Sequence, residues 1–348
     1  MADLLKKIMG LKSIKESVYT KEDYEIDMMP EHWFSSGTIT MNLLMAGRIA
    51  NGIPQGKITQ IAGPSKYGKS FILACAIRSA QKKGKTAVLF DVERAYDRGF
   101  YIKLGVDVDN LIVIQENMIE KVQQKFVEIS EELTKEEKRD LFVGMDSWGA
   151  LADTMAIKYA VKGEDTRNMG MSQKKNNFSR LLLGSGITCA IINHIYDNTG
   201  GFGDPLKVSG GRGIEYLGQV VLLLMSKAKA KEGTDVNGSI ITAVANKTRY
   251  GKELSKLSFR IKHEGGLDYW YGLLDDAVEM GFVVKDGSRL TRPCVEGDKK
   301  WWEKDIYCAD FWVPIFNETD FKDQLESKYS FKDSDLDVAN GKNDVFDD

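Results

Sequence analysis

The most informative stretch of this sequence is Gly63-Pro64-Ser65-Lys66-Tyr67-Gly68-Lys69-Ser70. It matches the pattern G-x-x-x-x-G-K-[ST], in which the glycines let backbone N–H groups wrap around phosphate oxygens. In such a loop Lys69 reaches the β- and γ-phosphates of a nucleotide, and the Ser70 hydroxyl binds Mg²⁺. Apolar runs over 57–62 and 71–83 predict a strand before the loop and a helix after it, whose N-terminus faces the same anion. The sequence therefore predicts a phosphate-binding loop with ATP and Mg²⁺ as its ligands.

Two acidic side chains follow apolar runs that we predict to be strands. Asp146 ends the run 141–145, and Glu93 comes shortly after the run 86–90. Because the carboxyl ends of parallel strands meet at one edge of a sheet, both should lie near the loop. Asp146 is placed to hold Mg²⁺ through water; it could also cap the segment after Ser147, and the two roles can coexist. Glu93 is placed to polarise the attacking water, and its alternative is a solvated charge in a loop.

Strand and helix signals alternate from residue 57 onward. The i+3/i+4 spacing of apolar residues over 119–133 predicts an amphipathic helix. Alternation of this kind indicates an α/β fold, with a mostly parallel twisted sheet covered by helices on both faces. Cys75 and Cys189 sit inside apolar stretches, so we expect small core residues there and not disulfide partners or metal ligands. The remaining apolar runs that predict strands are 111–115, 187–193, 219–226, 240–245 and 257–262.

The distribution of charge limits the classes of partner. The net charge of the 348 residues is −3, but residues 293–348 hold 15 acidic residues and seven lysines, which leaves the rest of the chain at +5. A nucleic acid would therefore bind a local basic groove and not the whole surface. No apolar run approaches the roughly 18 residues that span a membrane. The N-terminus also lacks the features of a secretory signal, so we expect a cytoplasmic protein without a membrane partner.

Longer motifs carry a resemblance to a known family. The run Asp91-Val92-Glu93-Arg94-Ala95-Tyr96-Asp97, the run 104–111 and the order of Asp146-Ser147 and Asn193-His194 resemble bacterial RecA. The segments 191–194 and 271–275 are more similar still to the RecA-like recombinases of T-even-type phages, whose cytoplasmic location would be that of the host cell. The resemblance covers roughly residues 30–320. It implies a RecA-type P-loop core at 31–270, an N-terminal oligomerisation arm at 1–30, a small C-terminal subdomain at 271–330 and an acidic disordered tail at 331–348.

The resemblance also implies roles for residues around the nucleotide. Glu93 resembles the catalytic glutamate of the family. Asp97 and Tyr271 resemble its adenine-contacting positions, with Tyr271 stacked on the base. Phe100 lies where bacterial RecA has a tyrosine.

Further roles concern communication between subunits. Lys247 and Arg249 resemble a basic pair that one subunit supplies to the γ-phosphate of its neighbour, where cations neutralise the charge that develops in phosphoryl transfer. Read alone, the pair could also be a solvated basic strand end. His194 matches the phage branch and would sense the γ-phosphate and signal to the loop that follows. Its alternative is a hydrogen-bonded histidine at the end of a strand.

Two segments are candidates for contact with DNA. The glycine-rich segment 196–211 matches the second DNA-binding loop of the family by position. There Phe202 could stack on bases, while Lys207 and Arg212 could contact phosphates. A first DNA loop would fall near 158–169, and its alternative is a solvated charged face. The residues of that loop that we expect to contact DNA are Lys158, Lys162 and Arg167.

The motifs and the resemblance together predict an ATP-dependent DNA recombinase. It would form a helical filament on single-stranded DNA, pair that strand with homologous double-stranded DNA and exchange strands. Its other expected partners are a single-stranded-DNA-binding protein and a loading mediator. One rival is a hexameric helicase with the same core, against which the segments 91–109 and 202–205 argue. A second rival is a non-catalytic paralogue acting as a mediator. The residues that argue against it are the intact Lys69, Ser70, Glu93, Lys247 and Arg249.

Overall fold

The computed structural model describes residues 30–155, 169–197, 206–208, 213–232 and 235–331. The predicted N-terminal arm lies outside these residues apart from Pro30, and the predicted acidic tail lies outside them apart from Phe331. Within the described ranges no helix is both long enough and apolar enough to cross a membrane.

A nine-stranded sheet organises the described residues, with the strand order β13-β12-β11-β10-β3-β7-β6-β4-β5. The five pairings from β10 to β5 are parallel and the three from β13 to β10 are antiparallel, which confirms the predicted mostly parallel sheet. The described strands are β1 (Trp33–Phe34), β2 (Ile53–Pro54), β3 (Ile58–Ala62), β4 (Thr86–Asp91), β5 (Leu111–Ile114), β6 (Leu141–Asp146), β7 (Thr188–Asn193), β8 (Ile195–Asp197), β9 (Leu206–Val208), β10 (Val220–Glu232), β11 (Asp235–Thr248), β12 (Lys256–Lys262), β13 (Gly266–Leu267), β14 (Val284–Asp286), β15 (Arg289–Thr291) and β16 (Trp301–Trp302).

Helices cover both faces of this sheet. Alternate residues of one strand point to opposite faces, so Leu89 packs into one buried cluster and Val88 into another. The first cluster takes the apolar side of α2, and the second takes α4 and α6. The described helices are α1 (Ile39–Ala46), α2 (Lys69–Lys82), α3 (Arg98–Lys103), α4 (Ile119–Glu132), α5 (Lys135–Arg139), α6 (Met169–Ser185), α7 (Gly213–Leu217), α8 (Leu274–Glu279), α9 (Ala309–Glu318) and α10 (Phe321–Tyr329), with short 3₁₀ turns at Trp148–Ala150 and Glu303–Asp305.

The strands β10 and β11 are longer than the apolar runs 219–226 and 240–245 predict. Beyond the sheet they continue as a two-stranded antiparallel ribbon, in which Lys227 stands opposite Ile241 and Lys229 opposite Ser239. This part of β10 is mostly exposed and alternates Lys with Ala. A search for apolar runs misses such a ribbon because its backbone pairing, and not burial, holds it in place.

A third buried cluster forms the C-terminal subdomain, as the sequence predicts. It surrounds Trp312, which is fully buried, and draws on α8 to α10 and the small sheet β14-β15-β16. Ile39 and Leu43 of α1 also belong to this cluster. All eight residues of α1 are buried, so this helix joins the C-terminal subdomain to the main core.

Candidate active site

The loop 63–68 connects the end of β3 to the start of α2, as predicted. The N–H of Gly63 donates to the carbonyl of Asn193 at the end of β7 (3.2 Å), which holds the start of the loop at the sheet edge. Gly68 has a φ of 84°, and a Cβ there would stand 2.2 Å from Cδ1 of Ile261. Only glycine fits at this position, because other residues are strained at positive φ and because Ile261 already fills the space that a side chain would need.

The side chain of Lys69 turns back into the loop. Its Nζ donates to the carbonyls of Gly63 (2.8 Å) and Pro64 (2.7 Å). Burial lowers the pKa of this amine, an effect that the negative charges of Asp146 and Glu93 partly oppose. A bound triphosphate would give the ammonium stronger acceptors at the position where it already lies.

Ser70 and Asp146 form a pair of oxygen donors beside the loop. The Ser70 hydroxyl donates to Oδ2 of Asp146 at 2.8 Å. Burial raises the pKa of Asp146 to about 6, and the charge of nearby Glu93 adds to this effect, while the hydrogen bond from Ser70 opposes it. A hydroxyl and a buried carboxylate at the foot of a phosphate-binding loop are hard oxygen ligands that suit Mg²⁺. The two residues therefore fit the metal role that the sequence predicts.

Glu93 lies at the centre of a short hydrogen-bond chain. Its Oε1 accepts from Oγ of Ser147 (2.5 Å) and lies 2.7 Å from Nε2 of His194. Burial acts to raise the pKa of Glu93, but the hydrogen bonds from Ser147 and His194, with the charges of His194 and Lys69, lower it overall. Glu93 is therefore ionised at neutral pH and can accept a proton. The sequence predicts Glu93 and His194 as separate functional residues. Their contact with each other, and the hydrogen bond from Ser147 to Glu93, are seen only in the structure.

A cavity of about 580 Å³ opens over the loop. Glu93, Asp146 and His194 line this cavity, and the metal and the attacking water would lie beside them. Asp97 and Phe100 line an adjoining cavity of about 290 Å³, which shares Phe100, Ser70, Glu93 and Asp146 with the first. Asp97 also accepts a hydrogen bond from the N–H of Phe100 (3.0 Å) and caps α3.

Sequence reasoning missed the wall of this cavity that comes from the antiparallel strands. These residues follow the loop by more than 150 positions and belong to no motif, so only the fold of β10 to β12 over the loop reveals them. They are Lys227, Ser239, Ile261, Lys262 and His263.

Tyr271 does not reach the nucleotide cavity of its own chain. Its ring stacks on that of Tyr307, with the centroids 5.2 Å apart, and the guanidinium of Arg260 lies 4.8 Å from the Tyr271 centroid. Burial raises the pKa of Tyr271. The predicted contact between Tyr271 and the adenine base therefore stays a prediction.

Lys247 and Arg249 lie away from the loop of their own chain. Lys247 stands opposite Val221, which itself stands opposite Gln60, two residues before β3 ends. Since β11 runs antiparallel to β10, the chain moves further from the loop as it reaches Arg249. Nζ of Lys247 donates to the carbonyl of Tyr216 at 2.6 Å, and burial, together with the charge of Arg249, lowers its pKa.

The predicted DNA-contacting segments are described only in part. The base of the second one is an antiparallel ribbon, in which Lys207 of β9 stands opposite Tyr196 of β8. This ribbon begins directly after His194, so His194 joins the nucleotide cavity to the segment 196–211. The predicted DNA-contacting residues that lie outside the described ranges are Lys158, Lys162, Arg167, Phe202 and Arg212.

Comparison with known proteins shows which families this chain matches. The chain matches the RecA N-terminal domain family over residues 4–268, and the family of the C-terminal domain of the bacteriophage T4 recombination and repair protein over residues 270–325. The recombination and repair protein of Enterobacteria phage T4 is 28% identical over 304 residues, which are 83% of this chain and 76% of that protein. Protein RecA of Bacteroides thetaiotaomicron is 30% identical over 257 residues, 73% of this chain and 75% of the relative.

Proposed function

The chain belongs to the RecA family of ATP-dependent DNA recombinases, and on that premise we propose that it hydrolyses ATP at a site completed by a second copy of itself. Filament formation on single-stranded DNA and strand exchange fit the family. The observation that carries the proposal is that the nucleotide-binding residues and the basic pair lie at different ends of the sheet. Lys69, Ser70 and Glu93 meet at one end, and Lys247 and Arg249 lie towards the other.

The residues of one chain supply most of the chemistry. Lys69 binds the β- and γ-phosphates, and Ser70 and Asp146 hold the metal. Bound Mg²⁺ supplies positive charge that stabilises the phosphates as the terminal bond breaks. Ionised Glu93 orients the attacking water and accepts its proton, while Ser147 and His194 keep the carboxylate in position.

His194 links this chemistry to DNA. Its ring contacts Glu93, and its backbone leads directly into β8 and the segment 196–211. A change in the hydrogen bond between His194 and Glu93, when the γ-phosphate binds or leaves, would therefore move the start of that segment. We assign the contact with bases to Phe202 and contacts with DNA phosphates to the lysines and arginines of the two predicted loops.

Mixing two inactive variants tests the shared site. Lys69→Ala removes the phosphate-binding lysine, and Lys247→Ala combined with Arg249→Ala removes the basic pair. If the pair acts across a head-to-tail interface, an equal mixture restores about a quarter of the wild-type DNA-stimulated ATPase, since one interface in four then has both intact parts. A chain carrying all three substitutions, mixed with Lys69→Ala, is the control and should restore nothing. A mixture without activity would show that each site is complete within one chain.

Electron microscopy and the ATPase assay separate the rival functions. A hexameric helicase would form closed rings on DNA, visible by negative-stain electron microscopy, whereas our proposal expects open helical filaments. A non-catalytic mediator would show no DNA-stimulated ATP hydrolysis.

We further propose that the partners of this chain are a single-stranded-DNA-binding protein and a loading mediator. We propose the cytoplasm, or the host cytoplasm for a phage-encoded protein, as its location, because the DNA substrate lies there.

A further inference from the structure

Lys227 brings a positive charge to the loop from a distant part of the chain. The strand β10 passes the start of the loop, where Cβ of Leu224 would lie 2.7 Å from a Cβ on Gly63. Three residues later, Nζ of Lys227 donates to the carbonyl of Lys66 in the loop at 2.8 Å. Lys227 also lines the nucleotide cavity, together with Lys69. The position follows from the ribbon of β10 and β11, which extends beyond the sheet edge and over the loop.

The hydrogen bonds of Lys227 resemble those of Lys69. Both ammonium groups donate to carbonyl oxygens of the loop. Several other lysines of the described residues pair with carboxylates, such as Lys85 with Asp140 at 2.6 Å. Among the described residues Lys227 has no ion pair of this kind, although its side chain is exposed and can move. A neutral carbonyl is a weaker acceptor for an ammonium than a phosphate oxygen is.

The charges around the cavity fall into two groups. Glu93 and Asp146 follow parallel strands, whereas Lys227 comes from β10 and Lys262, which pairs with Asp268 at 3.1 Å, comes from β12. A triphosphate between the two would have its metal on the acidic side and free oxygens facing the lysines. Nζ of Lys227 is held at the carbonyl of Lys66, three positions before Lys69 in the phosphate-binding loop, and both lysine side chains line the same cavity.

We propose that Lys227 is a phosphate-binding residue supplied by the same chain, which leaves the Lys66 carbonyl and binds the terminal phosphate when ATP occupies the loop. The inference rests on the proposed function, because it requires ATP at this site. It adds a specificity for triphosphate over diphosphate that Lys69 alone does not provide, since Lys69 serves both the β- and γ-phosphates.

Nucleotide affinity of the full-length protein tests the inference. Dissociation constants are measured for ADP and for a non-hydrolysable β,γ-imido analogue of ATP, with Mg²⁺ and without DNA. Lys227→Met should weaken the analogue about tenfold, the loss of one charge-assisted hydrogen bond at a solvated site, and change ADP less than about threefold. Lys227→Arg should keep most of the affinity. Lys229→Met is the matched control: it removes the next lysine on the same side of β10, which does not line the cavity, and should bind as wild type.

Other results of these affinity measurements would overturn the inference. Equal weakening of ADP and the analogue would show that Lys227 only fastens the loop through the Lys66 carbonyl, and would overturn the inference. Unchanged affinity for both would overturn it too. Lys69→Ala separates the inference from the proposed function, because undiminished nucleotide binding in that variant would refute the proposed ATP site itself.

Discussion

Replacing Asp146 by Asn should stabilise the nucleotide-free protein and abolish its response to Mg²⁺ and ATP. Burial raises the pKa of Asp146 from 3.8 to about 6. At neutral pH the carboxylate is nevertheless ionised in the folded chain, and this lowers the free energy of unfolding. A shift of about two units corresponds to about 3 kcal/mol of unfolding free energy, an upper limit that partial relaxation would reduce to roughly 1–3 kcal/mol. Asn keeps an oxygen acceptor for the Ser70 hydroxyl but carries no charge.

The size of this effect depends on pH. Below 3.8 the carboxyl is protonated in both the folded and the unfolded chain, and no cost arises. As the pH rises towards about 6, the unfolded chain releases this proton first, and the wild type loses stability relative to Asp146→Asn. The advantage of the variant should be largest at pH 7–8 and about half as large near pH 5.

Thermal unfolding with a metal chelator measures this advantage, which we expect as a rise of about 2–6 °C in Tm at pH 8. Adding Mg²⁺ and ATP should then raise the Tm of the wild type, because a ligand stabilises the state it binds, and should leave the variant unchanged. Asp286→Asn is the control, since Asp286 is an exposed carboxylate 3.3 Å from Lys300 and its loss should have little effect. A variant less stable than the wild type at pH 8, or stabilised equally by Mg²⁺ and ATP, would refute the reasoning.

Three further outcomes follow from the contacts. Glu93→Gln keeps the shape of the side chain but loses the basic carboxylate, so steady-state ATP hydrolysis should fall about 10²–10⁴-fold while nucleotide affinity stays within about threefold; a smaller fall would assign the base elsewhere. Arg292→Ala removes a buried guanidinium that lies 2.6 Å from Asp298, which keeps only the Arg292 N–H and the Trp301 indole as donors, and should cost about 3–5 kcal/mol in urea unfolding; an unaffected midpoint would contradict this. Gly68→Ala places a methyl group against Ile261 at a positive φ and should abolish measurable ATP binding in titration calorimetry; normal binding would show that the loop can adjust.

Much of the core could be predicted because its signals are local. The residues of β3 are all buried, and they precede the glycines that the phosphate loop needs. Asp146 ends β6 as expected, and its hydrogen bond to Ser70 follows from the common edge of parallel strands. Cys75 and Cys189 are buried core residues, as their apolar neighbours indicate.

The antiparallel half of the sheet gave fewer signals. The ribbon of β10 and β11 carries exposed lysines and alanines, so neither apolar runs nor period-two burial marks its length. The contact of Tyr271 with adenine rests on the resemblance in sequence and stays a prediction, whereas only the structure brings Ile261, Lys262 and His263 to the cavity. A short polar segment has no local pattern that indicates which distant loop it will contact.

The sequence by itself determined the phosphate loop, the positions of the buried strands along the chain and the two acidic residues near the loop, because each depends on residues that are close along the chain. Only the tertiary structure decided that Glu93 meets His194, that Lys227 reaches the loop, and that Lys247 lies away from it. These relations depend on the order and direction of strands in the sheet. That order is set by the packing of the whole core, which brings together residues more than 100 positions apart.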